Sequence, residues 1–167
     1  MKTLYISVIA FLYMMLTASI SLAADKTPDN KDALKGLTSS KAIFDITTGN
    51  PKKLAFYLKL VRETAESMHA AGVKTDFILA FRGPATFYVT SDQKHVKIKD
   101  MPIAYKIKDE ITMLSHEKGV KLTQCSVAAH VLHVDTSTIY PGVKVIGNSW
   151  VSLIGYENKG YALVPVR

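Results

Sequence analysis

Short apolar runs alternate along this chain with segments of helical periodicity, and that alternation limits the fold more than any other feature. Lys41 to Thr47 reads as a first strand, followed by Asn50 as a helix cap and Pro51 as a first helical position. In the helix that follows, Leu54, Leu58, Val61, Ala65 and Met68 recur at spacings of three and four and make one apolar stripe, which Gly72 ends. Thr75 to Phe81 is a second strand, stopped by Arg82-Gly83-Pro84. A helix over about 103–118 buries Ile107, Ile111 and Leu114. Val120 to Gln124 is a third strand, and Ser126 to Val134 its helix, with Val127, Ala128, Val131 and Val134 toward the sheet. Val143 to Gly147 is a fourth strand, a helix covers about 149–157, and Tyr161 to Val166 closes the chain. Only 86–102 shows no clear period. Strands that alternate with helices require right-handed crossovers, which predicts one doubly wound α/β domain with a mostly parallel sheet covered on both faces.

The start of the chain has a different character. Met1-Lys2 gives a positive start, and Leu4 to Ile20 is apolar apart from Ser7, Thr17 and Ser19. Ser21-Leu22-Ala23 then fits the small-x-Ala pattern of a peptidase site. The expected organisation is a signal peptide over 1–23, a flexible mature N-terminus over 24–40 and a folded domain over 41–167. A cleaved signal places the protein in the periplasm or outside the cell, without stable membrane insertion; the alternative is an uncleaved anchor. The formal charge of +7 becomes +6 without Lys2. Its densest stretch (Lys94, His95, Lys97, Lys99, Lys106, Lys108) holds one aromatic residue, Tyr105, and no arginine. Nucleic-acid surfaces interleave arginines and aromatics, so a solvated lysine face is expected and no nucleic-acid partner.

Cys125 is the only cysteine, and it stands where the third strand gives way to a helix. The partial positive charge of a helix start favours thiolate over thiol. An exported thiol without a disulfide partner is either sheltered or used. Ligands of open α/β sheets bind beyond the carboxyl ends of the strands, where the sequence also places Asn50, Arg82, Gly83 and Asn148. These four are the candidate ligand-binding residues on the rim, and Cys125 is the candidate catalytic residue. Along a continuous helix His130 and His133 would lie roughly 7 and 12 Å beyond the thiol, so neither supplies an adjacent base for a hydrolase. His69 and His116 are expected to be exposed residues at helix C-termini. The His130/His133 pair has no second Cys/His cluster beside it, so no metal and no cofactor are expected.

Four stretches, taken together and in order, carry a resemblance. They are Ile43-Phe-Asp-Ile46 with its helix; Phe81-Arg-Gly-Pro-Ala85; Gly119-Val-Lys-Leu-Thr-Gln-Cys125-Ser-Val-Ala-Ala129; and Pro141-Gly-Val143 with Leu153-Ile-Gly-Tyr-Glu-Asn-Lys-Gly-Tyr161. From about Ala42 to Val166 the chain resembles the DsrE/DsrF-like (YchN-like) family. That resemblance implies a three-layer α/β/α domain, flavodoxin-like in style, with a five-stranded sheet, assembling into homo-oligomers such as trimers or hexamers. It also implies a sulfur relay, in which Cys125 carries sulfane sulfur as a persulfide between a donor and an acceptor protein. Three readings stand at this level: a sulfur or thiol carrier, a small-anion binding module, and an oligomeric protein whose buried cysteine is inert.

Overall fold

The computed structural model describes residues 28–167. The expected signal peptide lies outside the described residues. An isolated helical turn, Lys31–Leu34, precedes the first strand. That strand, β1, runs from Ser39 to Ile46, two residues earlier than its apolar run suggests. The chain continues through α1 (Pro51–Ala70), β2 (Lys74–Phe81), α2 (Met101–His116) and β3 (Val120–Cys125). It ends with α3 (Ser126–Val131), β4 (Val143–Ile146), α4 (Ser149–Glu157) and β5 (Ala162–Val166). Three short 3₁₀ turns, Gly83–Tyr88, Gln93–His95 and Ile98–Asp100, take up most of 86–102, where the sequence has no clear period, and the first begins before it.

All five strands are parallel, in the order β4-β3-β2-β1-β5. Strands β1 to β4 step outward in one direction, and β5 returns to the other side of β1. Alternate side chains divide the core accordingly. Ala42, Phe44 and Ile46 of β1 pack with Phe77, Leu79 and Phe81 of β2 beneath the apolar stripes of α1 and α2. On the opposite face Ile43, Ile78 and Ala80 pack against Leu153 of α4. The domain is therefore a three-layer α/β/α structure, with its second face covered by one helix.

The α1 stripe is buried as its spacing requires, with Leu54, Leu58, Val61 and Ala65 inside and Met68 packed at the margin. The Asn50 side chain accepts from the amides of Lys52 and Lys53 at 3.0 and 3.2 Å, which fixes the start of α1. Helix α3 differs from its expected form in length and rotation. It stops at Val131, and His133, with φ 54°, takes the left-handed conformation that closes it. The amides of His133 and Val134 reach back to the carbonyls of His130 and Ala129 at 3.1 and 2.9 Å, a Schellman closure. Only Ala129 of this helix is buried, and Val134 is buried just beyond it; Val127 and Val131 point to solvent, 51% and 66% exposed. The physical reason is that so short a helix sits at the carboxyl end of β3 against the Gly83–Tyr88 turn, not across the sheet face.

Candidate functional site

The strand register decides which rim residues meet. Phe81 pairs with Gln124, so Arg82 follows β2 beside Cys125 at the end of β3. Cys125 in turn pairs with Ile146, which brings Gly147, Asn148 and Ser149 up to the sulfur. Arg82, Gly83, Cys125 and Asn148 accordingly line one cavity of about 320 Å³. Its remaining walls are mostly apolar and include Val127, Val131, Leu132 and Trp150. Asn50 follows β1, one strand beyond β2, and is not among the lining residues. Its side-chain oxygen serves the first turn of α1.

Cys125 is a free thiol, 4% exposed, at the bottom of this cavity. The amide N–H of Ser149, at the start of α4, donates to Sγ at 3.4 Å. The protonated thiol has an acceptor in the Gly147 carbonyl at 3.8 Å. Burial pushes the thiol pKa up, but the hydroxyl and amide of Ser149 and the amides of Ala128 and Val127 outweigh it, leaving the pKa below its ordinary value. Asn148 holds the start of α4 in place, accepting from the Trp150 amide at 2.9 Å. Cys125 therefore sits where two helices begin, and α4 supplies the closest donor.

Arg82 is engaged elsewhere. Its Nε and Nη2 donate to the two carboxylate oxygens of Asp45 at 2.7 and 2.8 Å, a bidentate pair. Asp45 is 2% exposed, and Arg167 approaches it at 3.7 Å. Hydrogen bonding to Asp45 raises the Arg82 pKa against the opposing effect of burial, and negative charge on Asp45 or Cys125 raises it further. This pair occupies the edge near β1 and β5, where the strand order reverses and open α/β sheets usually keep their crevice.

A family model described as the DsrE/DsrF-like family matches residues 41–166. The chain belongs to the DsrE/DsrF-like family. An uncharacterized protein of Aquifex aeolicus (strain VF5) is 26% identical over 125 residues, covering 75% of this chain and 55% of that protein. The chain thus spans about half the length of that curated relative. Among solved structures, the protein of unknown function MTH1491 from Methanobacterium thermoautotrophicum superposes with a TM-score of 0.60 at 13% identity. The ychN protein from E. coli gives 0.58 at 16% identity. Each likeness covers 75% of this chain and 98% of the other, and at such identities it is a likeness of fold.

In this DsrE/DsrF-like protein two members of the site lie outside the candidate residues named from the sequence. Ser149 follows Asn148 at the rim, and its amide bond to the sulfur depends on the β3–β4 register. Asp45 could have been noticed as a carboxylate inside an apolar strand, a position that calls for a cationic partner. Neither His130 nor His133 lines the thiol cavity, and both are exposed. Among the described residues no group of three His, Cys, Asp or Glu is placed to hold a metal ion.

Proposed function

We propose that this protein is exported to the periplasm, where Cys125 carries sulfane sulfur as a persulfide or a thiol partner as a mixed disulfide. One observation supports the reading above others: a thiol with a lowered pKa at the bottom of a cavity, with the Ser149 amide directed at its sulfur. In the loading step the thiolate attacks the outer sulfur of a donor persulfide, R–S–SH. The Cys125 S–S bond forms as the donor's S–S bond breaks, Cys–S–SH results, and R–S⁻ leaves with the electron pair. Delivery to an acceptor thiolate is the same exchange in reverse. The carrier acts as a homo-oligomer, a reading supported by the exposed Val127, Val131, Trp150, Val151 and Ile154. Export rests on the apolar run of Leu4 to Ile20 and the Ser21-Leu22-Ala23 site.

The test is the intact mass of the mature protein after exposure to inorganic polysulfide. Gain of one sulfur, abolished by Cys125→Ser and reversed by a small thiol, is the expected result. A native thiol that stays unmodified, and reacts only after denaturation, would identify Cys125 as an inert packing residue and overturn the carrier reading. The 4% exposure of Cys125 is the observation that favours this second reading. Binding of a small anion by Arg82 finds less support, because Asp45 already occupies its guanidinium.

A further inference from the structure

Ile98 is the most exposed large apolar side chain among the described residues, 92% open to solvent. The turn that carries it is fixed in place. Val96, two residues earlier, is packed in the core, and the rings of His95 and Phe87 stack with centroids 4.7 Å apart. The Val96 amide bonds the Gln93 carbonyl at 2.9 Å. The Gln93 side-chain amide donates to the Thr90 carbonyl and the Tyr140 hydroxyl at 2.8 and 3.0 Å. The Asp100 amide bonds the Lys97 carbonyl at 2.8 Å and closes the turn around Ile98. The fold therefore holds an isoleucine out in water, against the hydrophobic cost of leaving it there.

Its surroundings indicate what covers it. The Ile98–Asp100 turn runs directly into α2, so Pro102 and Tyr105, four and seven residues on, continue the side of Ile98. Both are exposed. Lys97, Lys99 and Lys106 flank this stripe and are exposed as well. Among the described residues none of these three lysines forms an ion pair, whereas Lys94 is held by Asp92 at 2.8 Å. Lys108 is also engaged, 5.7 Å from the centre of the Tyr140 ring. The nearby carboxylates are Asp100, which is partly buried, and Asp109, eleven residues past Ile98 and so about 16 Å further along the helix.

We propose that the Lys97-Ile98-Lys99 turn and the first turns of α2 are a peripheral docking site for an anionic phospholipid bilayer. Ile98 enters the boundary between headgroups and acyl chains, and Tyr105 lies at headgroup level, where amphipathic rings are favoured. Lys97, Lys99 and Lys106 meet the anionic headgroups, each strengthening attachment about five-fold. A protein partner fits the site less well, because one isoleucine, one proline and one tyrosine fall far short of the roughly 1,200–2,000 Å² that specific interfaces bury. Nucleic acid fits less well too, since the stretch has no arginine and a single aromatic residue beyond the stacked Phe87–His95 pair. Attachment is reversible, because one isoleucine buries far less than the lipid chains that stable anchoring needs. It requires no chemistry at Cys125.

Co-sedimentation of the mature protein with phosphatidylcholine vesicles containing about one-third phosphatidylglycerol, in about 0.1 M salt, tests this. Binding to vesicles of phosphatidylcholine alone should be at least about ten-fold weaker. Lys97→Gln and Lys99→Gln should each weaken binding to the anionic vesicles about five-fold, and Ile98→Ser about ten-fold. All three side chains are exposed, so urea unfolding should be unchanged and shows that the variants fold. Absence of binding to the anionic vesicles would overturn the proposal, as would wild-type binding by Ile98→Ser. Losses confined to the lysine variants would reduce the site to diffuse electrostatic attraction and overturn it too. Tighter binding to a single-stranded oligonucleotide than to the anionic vesicles would assign the lysines to nucleic acid instead.

Discussion

At Cys125 burial and hydrogen bonding oppose each other, and the donors around the sulfur win. The consequence appears in reactivity. The rate of alkylation by iodoacetamide should rise with pH through a midpoint below that of a free cysteine, near 8.5, measured in the same buffer. Ser149→Ala removes the hydroxyl and keeps the amide, so it should move the midpoint part of the way back up. An unshifted wild-type midpoint would show that burial dominates. The sign for stability follows from the same preference. A thiolate favoured in the folded state adds stability at alkaline pH, which is lost as pH falls through the native pKa. His133 offers a prediction of another kind, because it holds the left-handed position that ends α3 with φ 54°, where glycine is the usual occupant. Relief of that strain exceeds the entropy a glycine adds to the unfolded chain. His133→Gly should therefore raise the free energy of unfolding by about 0.5–1 kcal/mol, read from urea denaturation, while leaving Cys125 chemistry unchanged.

Among the elements, the turn from α2 into β3 is the most tightly specified. An alanine at Gly119 would meet the Thr75 backbone as well as an unfavourable φ of +76°, whereas Gly160, with φ +79°, has nothing within 4 Å of its absent Cβ. Gly160→Ala should then cost about 1 kcal/mol from backbone strain alone. Gly119→Ala should cost at least about twice that, because β2 or the turn has to move. Equal costs in thermal or urea unfolding would mean that the turn yields freely. These elements also show what a sequence can and cannot reveal. Helix α1 was legible because its stripe, its Asn50 cap and its Gly72 stop all report local geometry. The strands were legible as apolar runs, yet their order was not, and that order places Arg82 beside Cys125 and Asn50 elsewhere. Helix α3 misled because Val127 and Val131 have the spacing of a buried face. A six-residue helix at the carboxyl end of β3 has only Ala129 to bury, so the same valines face outward. The 86–102 segment resisted because 3₁₀ turns have no repeating apolar pattern to detect.

For the whole molecule, those outward valines meet a second apolar surface. Val127, Val131 and Trp150 share the walls of the thiol cavity. Along α4, Val151 and Ile154 extend the surface, 68% and 61% exposed, with Trp150 at 64%. Large apolar side chains gathered around the mouth of a cavity are typical of association surfaces, where a central aromatic residue often carries much of the binding energy. If copies of this chain associate through it, assembly also determines who reaches the sulfur. Trp150→Glu places a charge at the centre of that surface and leaves the Ser149 amide, Asn148 cap and Asp45–Arg82 pair in place. It should lower the mass measured by light scattering and raise the rate of Cys125 alkylation together, because the cavity mouth is then uncovered. A lower mass with an unchanged rate would place the interface here but the route to the thiol elsewhere. An unchanged mass would show that copies of this chain do not associate through this surface.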